Sequence, residues 1–344
     1  MYRFKPILKT LVWGGEKIAP YKGIETTQDH IGESWELSGV AGSESIIDGG
    51  PYDGKTITQL AAERKEWLLG EKVYARTGTE FPLLIKFIDA ASDLSVQVHP
   101  GDALSRVRHG KNGKTEMWYV IGADKDAHLM SGLSESLTRE EYCEMVQDGS
   151  ITSALCDYKV APGDVFFIPA GRIHAIGAGC FVAEIQQTSD VTYRIYDYGR
   201  LGLDGKPREL HTALALDAID FEVRDDYRLR YTHHKDEEKI LVKCPYFTTC
   251  LFDLTGEFRK DLHSLDSFVV VMCIEGSGSV TTVETQPADE LRAFGFIRKS
   301  REVKPDLTET LRIHQGQTIL VPAGAKEMTL TPDEGGMKIL TSYI

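Results

Sequence analysis

The 344-residue sequence lacks the long apolar run that a membrane-spanning helix requires. No stretch approaches the about 20 consecutive apolar residues that are needed to cross a bilayer. The N-terminal stretch MYRFKPILKTLVWGG is interrupted by Lys5, Pro6 and Lys9, so it lacks the continuous apolar segment of a secretory signal peptide. We therefore predict a cytoplasmic protein.

Positive charge and paired cysteines are also scarce. The 39 lysines and arginines are outnumbered by 52 acidic residues, and the net charge of −13 argues against a general nucleic-acid or anionic-membrane surface. A small anionic substrate stays compatible, because a few local arginines or lysines suffice to bind a phosphate. The six cysteines include no C-x-x-C pair, as expected of small buried side chains in a reducing compartment. The sequence leaves the oligomeric state open.

The sequence does contain many short runs that are rich in β-branched and aromatic residues and bounded by Gly, Pro, Asp or Ser. Such runs are typical of strands in sandwiches and barrels. They lie at residues 81–87, 94–98, 117–121, 165–168 and 268–274. Helical pattern is limited to residues 57–69, to a segment that starts at a Thr138–Glu141 capping box and stops at Gly149, and to residues 210–221. The prediction is a mainly β fold with a few short helices.

One internal repeat predicts two related β modules. Residues 163–174 (GDVFFIPAGRIH) and 316–327 (GQTILVPAGAKE) share the spacing G-x5-P-x-G, and a weaker echo links 119–122 to 273–276 at nearly the same offset. The charged stretch HHKDEEK is the best boundary candidate. We predict modules at residues 1–235 and 236–344.

A candidate metal site lies in the first module. In a strand, Gln97 and His99 project to the same face, since side chains two residues apart do so. Glu116 starts another predicted strand, and His174 follows the turn of the repeat. Two imidazoles, a carboxylate and an amide oxygen from separate strands form a ligand set that suits zinc and leaves positions open. Seven other histidines are interpreted as structural or surface residues: His109, His128, His211, His233, His234, His263 and His314.

The pattern G-x5-P-x-G-x-x-H, preceded by Q-x-H and a Glu on the next strand, resembles the two-part motif of cupins. This resemblance implies two cupin-type jelly-roll (double-stranded β-helix) modules. In the second module Glu327 stands where His174 stands in the first. That module resembles a cupin without its metal site, and we expect a structural role for it.

Four further segments resemble type I phosphomannose isomerase in its short bacterial form. They are residues 81–90 (FPLLIKFIDA), 94–102 (LSVQVHPGD), 113–119 (GKTEMWY) and 190–200 (DVTYRIYDYGR), in this order. The resemblance is dense from about residue 8 to residue 221 and weaker beyond. It implies a zinc-dependent interconversion of mannose 6-phosphate and fructose 6-phosphate.

The same resemblance implies roles for single residues. The zinc ligands, for one zinc per chain, would be Gln97, His99, Glu116 and His174. The catalytic residues would be Arg194, Lys114 and Glu184, with Arg194 stabilising an enediolate and one of the other two transferring protons. Trp13 would lie near the substrate. Arg172, Arg200 and Lys86 are candidates for the phosphate end by residue type and neighbourhood alone, because arginine offers bidentate geometry to phosphate.

Two other functions stay open. One is a different cupin enzyme, such as an iron-dependent dioxygenase or another sugar-phosphate isomerase. Gln97 favours the isomerase, since oxygenase cupins more often use a histidine there. The other is a non-catalytic sugar-binding or regulatory cupin, against which Lys114 and Arg194 argue.

Overall fold

The computed structural model describes residues 1–285 and 306–344, and the fold is mainly β, as predicted. The strands are β1 (Tyr2–Lys5), β2 (Ile7–Gly15), β3 (Ile31–Ser38), β4 (Ile46–Ile47), β5 (Leu83–Asp89), β6 (Val96–Val98), β7 (Glu116–Ala123), β8 (His128–Leu133), β9 (Leu155–Lys159), β10 (Val165–Ile168), β11 (His174–Ile176), β12 (Cys180–Gln187), β13 (Tyr193–Tyr196), β14 (Arg228–Leu229), β15 (Glu238–Lys243), β16 (Thr248–Leu254), β17 (Phe258–Asp261), β18 (Val269–Thr285), β19 (Asp306–His314), β20 (Thr318–Val321) and β21 (Ala325–Tyr343). The helices are α1 (Ile18–Lys22), α2 (Ile57–Leu69), α3 (Glu71–Thr77), α4 (Asp102–His109), α5 (Arg139–Asp148) and α6 (Thr212–Ala218), with a 3₁₀ turn at Ile151–Ala154.

The chain forms two compact units. The first, here called the ligand unit, comprises Pro6–Ser43 and Pro82–Tyr231; the second, the C-terminal unit, comprises Met1–Lys5, Glu44–Phe81 and Thr232–Ile344. The predicted domains 1–235 and 236–344 stay a prediction, and the compact units differ from them in the two N-terminal segments. Those segments fold with the C-terminal strands because β1 pairs with both β20 and β4.

The C-terminal unit contains one large sheet. Its strand order is β15-β16-β21-β18-β20-β1-β4, with β17 added at β21 and β19 at β18. Helix α2 spans Ile57–Leu69 and ends before Gly70, as predicted, and the structure shows that it begins at a capping box of Thr56 and Gln59. Gly70 has a φ of 94°, and a Cβ there would lie 2.4 Å from the carbonyl oxygen of Asp266, so only glycine fits this helix end.

The sequence repeat corresponds to equivalent strands in the two units. Strand β10 occupies the same repeat positions as β20, and each pairs with a preceding strand in the same register. Phe166 is opposite Trp118 in the ligand unit, and Ile319 is opposite Val271 in the C-terminal unit. The repeat therefore marks a shared strand pairing and not only a shared turn.

The ligand unit contains two antiparallel sheets that share one apolar core. The seven-stranded sheet runs β14-β10-β7-β12-β5-β3-β2 and the five-stranded sheet runs β13-β6-β11-β8-β9. Trp118 and Val182 from the first sheet join Leu129 and Ile176 from the second in a single buried cluster. Because side chains of both sheets fill one core, the inner faces pack together as in a β-sandwich.

The predicted helices of the ligand unit differ in how well their ends were placed. Helix α5 starts at the Thr138–Glu141 capping box and stops at Gly149, as predicted. The helix predicted at 210–221 spans only Thr212–Ala218. It is shorter because the main-chain N–H groups of His211 and Asp220, at its two ends, donate to carbonyl groups elsewhere in the fold.

Within the part of the chain that the structure describes, no helix is long and apolar enough to span a membrane. The cytoplasmic location inferred from the sequence stays a prediction.

A buried ion pair joins α1 to β3 and carries a stability prediction. Lys22 Nζ lies 2.6 Å from both carboxylate oxygens of Glu36, and each side chain is 5% exposed. Removing one partner of such a pair leaves a buried charge without compensation. We expect Lys22→Met to lower the free energy of unfolding by about 3 kcal/mol, measured by chemical denaturation.

Two matched variants test whether the loss of stability in Lys22→Met comes from the unpaired buried charge. The double replacement Lys22→Met with Glu36→Leu should recover much of the loss, because no charge is then left alone in the interior. Lys55→Met breaks an exposed pair with Glu63 and should cost less than about 1 kcal/mol. A Lys22→Met variant as stable as Lys55→Met would contradict the prediction.

Candidate metal centre

Strands β6 and β11 place Gln97 and His174 on one face of the five-stranded sheet, His99 follows directly after β6, and Glu116 comes from β7 of the seven-stranded sheet. On β6, Gln97 lies opposite His174 of β11 on one side and Arg194 of β13 on the other. Directly opposed residues of antiparallel strands point to the same face of a sheet. The turn before His174 is fixed to β6 as well, because Gly171 (φ 91°) donates its N–H to the carbonyl of His99 over 2.8 Å.

The structure brings His99, Glu116 and His174 together as predicted. Their ligand atoms all lie within 4.8 Å of one another, and all three side chains are buried. His99 Nε2 lies 3.6 Å from one carboxylate oxygen of Glu116, and His174 Nε2 lies 3.4 Å from the other. In the described residues 1–285 and 306–344, this is the one group of three or more His, Cys, Asp or Glu side chains that could hold a metal ion.

Both imidazoles are held with Nε2 turned toward Glu116. The Nδ1 atom of His99 lies 2.9 Å from the carbonyl oxygen of Val191, and that of His174 lies 2.8 Å from the carbonyl oxygen of Arg172. A carbonyl can only accept, so the proton is assigned to Nδ1 and the Nε2 lone pair is left for a metal. Burial lowers the pKa of His99 well below its ordinary value and that of His174 to about 3. Both rings are therefore neutral near pH 7, the form that binds a cation.

The nitrogen and oxygen atoms of this group that could bind a metal have no hydrogen bonds within the part of the chain that the structure describes. Nε2 of His99, Nε2 of His174 and both carboxylate oxygens of Glu116 are buried, and none has a hydrogen-bond partner among the described residues. Burial, with the nearby charge of Glu184, raises the pKa of Glu116, although Lys114 opposes the shift. Leaving four buried polar atoms without hydrogen bonds is costly, and a divalent cation would satisfy all of them at once. The residues thus fit a metal site.

The two predicted proton-transfer residues differ in their surroundings. Lys114 is 7% exposed, and its Nζ lies 3.5 Å from Glu116. Glu184 forms an ion pair with Lys86, with 2.8 Å between Oε1 and Nζ, and accepts a hydrogen bond from the indole N–H of Trp118 over 2.9 Å. Burial alone would raise the pKa of Glu184, but the charges of Lys86 and Lys114 and these contacts lower it below its ordinary value. Glu184 is therefore an ionised carboxylate that is already paired.

Arg194 lies on the same sheet face as Gln97 and His174. Its Nη1 donates to the carbonyl of Glu209 over 3.0 Å, while its Nε is buried without a hydrogen-bond partner in the described part of the chain. Burial and the charge of Arg208 lower the pKa of Arg194. The guanidinium is therefore held through Nη1, while its Nε–H group remains able to donate a hydrogen bond.

Trp13 is buried in the core of the ligand unit. It is 5% exposed and clusters with Trp118, and its ring lies over Gly32, where a Cβ would be 2.6 Å from the ring. Any larger residue at position 32 would displace the ring. The assignment of Trp13 as a substrate contact stays a prediction.

The two predicted phosphate arginines already have partners in the fold. Arg172 donates to the carbonyl of Phe167 over 2.8 Å and lies 4.6 Å from the ring centre of Tyr227. Arg200 forms an ion pair with Asp197 at 2.8 Å. Lys86, the third phosphate candidate, is buried against Glu184. Their roles in phosphate binding stay predictions.

Two residues that contact this site were not predicted from the sequence. The ring of Trp118 packs edge-on against His174, with 5.3 Å between ring centres, and also donates to Glu184. Its period-2 spacing from Glu116 on β7 could have identified it. His211 binds the main chain of Arg194, and no local pattern in the sequence signals that contact.

The fold is of the cupin type, a β-sandwich in which separate strands contribute a buried His–Glu–His group that is a candidate metal site. Comparison with known proteins identifies the family within this fold class. Residues 1–129 match the family model for the catalytic domain of type I phosphomannose isomerase, a range that includes three of the four proposed ligands. The mannose-6-phosphate isomerase ManA of Bacillus subtilis is 37% identical over 286 residues, 82% of this chain and 87% of the relative. The chain therefore belongs to the type I phosphomannose isomerase family.

Two further comparisons agree. A mannose-6-phosphate isomerase of Streptococcus mutans is 33% identical over 271 residues, which cover 78% of this chain and 83% of the relative. The crystal structure of the mannose 6-phosphate isomerase from Bacillus subtilis has a TM-score of 0.82 at 30% identity and covers 100% of this chain and 99% of that chain. The similarity thus extends over both compact units.

Proposed function

We propose that this chain is a zinc-dependent aldose–ketose isomerase that interconverts mannose 6-phosphate and fructose 6-phosphate through a cis-enediol intermediate. The observation that carries the proposal is the buried group in which Nε2 of His99, Nε2 of His174 and both carboxylate oxygens of Glu116 lack a hydrogen-bond partner among the described residues. Family membership supports the choice of substrate. A cytoplasmic location belongs to the same proposal.

Gln97 completes the proposed ligand set. It lies opposite His174 in the strand pairing, is half-buried, and offers an amide oxygen on the face that the imidazole occupies. Two nitrogens and two oxygens suit zinc and leave positions open for substrate. When bound, the cation would supply a Lewis acid that polarises the hydroxyl and carbonyl oxygens of the open-chain sugar.

Lys114 is favoured over Glu184 for proton transfer between C1 and C2. The amine of Lys114 is buried beside Glu116, so a substrate at the metal group would come within its reach. Glu184 has its charge held by Lys86, and a carboxylate with a lowered pKa is a weak base. We assign proton transfer to Lys114. The role we assign to Glu184 is to hold Lys86 and Trp118 in place.

Arg194 is proposed to stabilise the negative charge that develops on the enediolate oxygen. A preformed cation is most effective where charge appears in the transition state and water is excluded. The unpartnered Nε of Arg194 supplies a donor for that oxygen. Trp13, Arg172 and Arg200 are kept as proposed contacts to the rest of the phosphosugar.

A coupled assay for fructose 6-phosphate tests this function. We expect the protein to convert mannose 6-phosphate, to lose turnover after dialysis against a chelator, and to regain it when about one zinc ion per chain is restored. Elemental analysis of the purified protein gives the metal content independently. A zinc-loaded protein that leaves mannose 6-phosphate unchanged would contradict the proposal, and iron with oxygen uptake would favour a dioxygenase.

A further inference from the structure

One short segment, Glu209 to His211, holds Arg194 by three hydrogen bonds. The main-chain N–H of Arg194 donates to Nδ1 of His211 over 3.0 Å, and the main-chain N–H of His211 donates to the carbonyl of Arg194 over 2.7 Å. The guanidinium donates in turn to the carbonyl of Glu209 over 3.0 Å. Both ends of Arg194 are thus fixed by the same segment.

The position of Arg194 on β13 explains why its main-chain N–H and C=O groups bind His211. Strand β13 is the edge strand of its sheet, so the outward N–H and C=O groups have no neighbouring strand. His211 satisfies both groups of Arg194. The Arg194–Gln97 pair is therefore of the non-hydrogen-bonded type, in which the Cα atoms approach to about 4.5 Å and the side chains lie closer together.

We propose that His211 is a positioning residue, one that sets the register of Arg194 on the edge strand and thereby aims its guanidinium at the substrate. This inference rests on the proposed function, in which Arg194 stabilises the enediolate. His211 does not touch the reacting atoms and acts through Arg194 alone.

The chemistry of His211 agrees with this role. Because Nδ1 accepts from an N–H group, the neutral ring carries its proton on Nε2, which lies 3.9 Å from the carboxylate of Glu209. Burial lowers the pKa of His211, with Glu209 opposing and the charges of Arg194 and His109 adding to the shift. The ring also packs against Tyr193, with 6.2 Å between ring centres.

The test compares three variants in kinetics with mannose 6-phosphate. In His211→Ala the acceptor is lost, and we expect kcat to fall about tenfold with little change in KM, because a misaimed Arg194 weakens only transition-state contacts. In His211→Asn the Oδ1 atom replaces Nδ1 as acceptor, and kcat should recover most of the loss. Leu210→Ala, an exposed neighbour, is the matched control and should match the wild type.

A double-mutant cycle with Arg194→Ala separates positioning from general stability. If His211 acts through Arg194, His211→Ala should have no further effect on kcat once Arg194 is absent. Additive effects, an unchanged kcat in His211→Ala, or no recovery in His211→Asn would each overturn the proposal. If the wild-type protein does not isomerise mannose 6-phosphate, the proposed function fails instead, which keeps the two failures distinct.

Discussion

Replacing His99 with alanine is expected to abolish metal binding and isomerase activity together. The Nε2 atom of His99 is buried 3.6 Å from Glu116 and has no hydrogen-bond partner in the described residues, so its available role is as a ligand. Loss of an outer partner of a metal ligand already costs about 10- to 100-fold in affinity, and we expect loss of the ligand itself to cost more than about 100-fold. Turnover should then fall to background.

The measurement is zinc per chain after dialysis, taken beside the rate of fructose 6-phosphate formation. His234→Ala serves as the matched control, because His234 is an exposed histidine in the C-terminal unit. His99→Ala also removes a hydrogen bond to Val191, so the thermal midpoint is measured without metal to detect a folding defect. A fully active His99→Ala protein that holds no zinc would refute the metal assignment.

The candidate ligands could be predicted because their signals are local. Gln97 and His99 share a face through the two-residue period of a strand, and His174 follows a turn whose Pro and Gly spacing recurs in the second module. Each of these patterns spans only a few consecutive residues. The start of the helix after Thr138 was predictable for the same reason, since a capping box spans four residues.

The parts that could not be predicted depend on partners distant in sequence. Strand β1 lies in the C-terminal unit because it pairs with β20, more than 300 residues away, and no local feature of Tyr2–Lys5 indicates that pairing. The helix predicted at 210–221 was shortened by hydrogen bonds to Arg194 and Gly171. Tertiary hydrogen bonds overrode the local pattern at both ends.

The state of Glu184 was likewise hidden from the sequence. A carboxylate ten residues beyond His174 could be a base, a ligand or an ion-pair partner, and residue type alone does not separate these. In the structure Lys86 from the neighbouring strand β5 lies directly opposite Glu184 and forms its ion pair. This pairing lowers the pKa of Glu184 and leaves Lys114 as the better candidate for moving protons.

Lys114→Met is accordingly expected to retain zinc but lose turnover. Lys114 Nζ lies 3.5 Å from Glu116 and is not one of the proposed ligands, so its removal should leave the bound metal in place. Proton transfer by a positioned group contributes about 100- to 10,000-fold, and kcat should fall by that amount. Methionine keeps the length and apolar stem of the side chain, which limits any change in packing.

Lys111→Met is the control for this prediction, because Lys111 is an exposed lysine three residues earlier that pairs with Asp190. It should keep wild-type kcat and wild-type zinc. Glu184→Gln completes the comparison between the two candidates. Since Glu184 fixes Lys86 and Trp118, its replacement should lower the thermal midpoint and reduce kcat less than Lys114→Met does. If Glu184→Gln instead loses all turnover at full stability while Lys114→Met stays active, the proton-transfer role belongs to Glu184 and the assignment made from the ion pair with Lys86 is wrong.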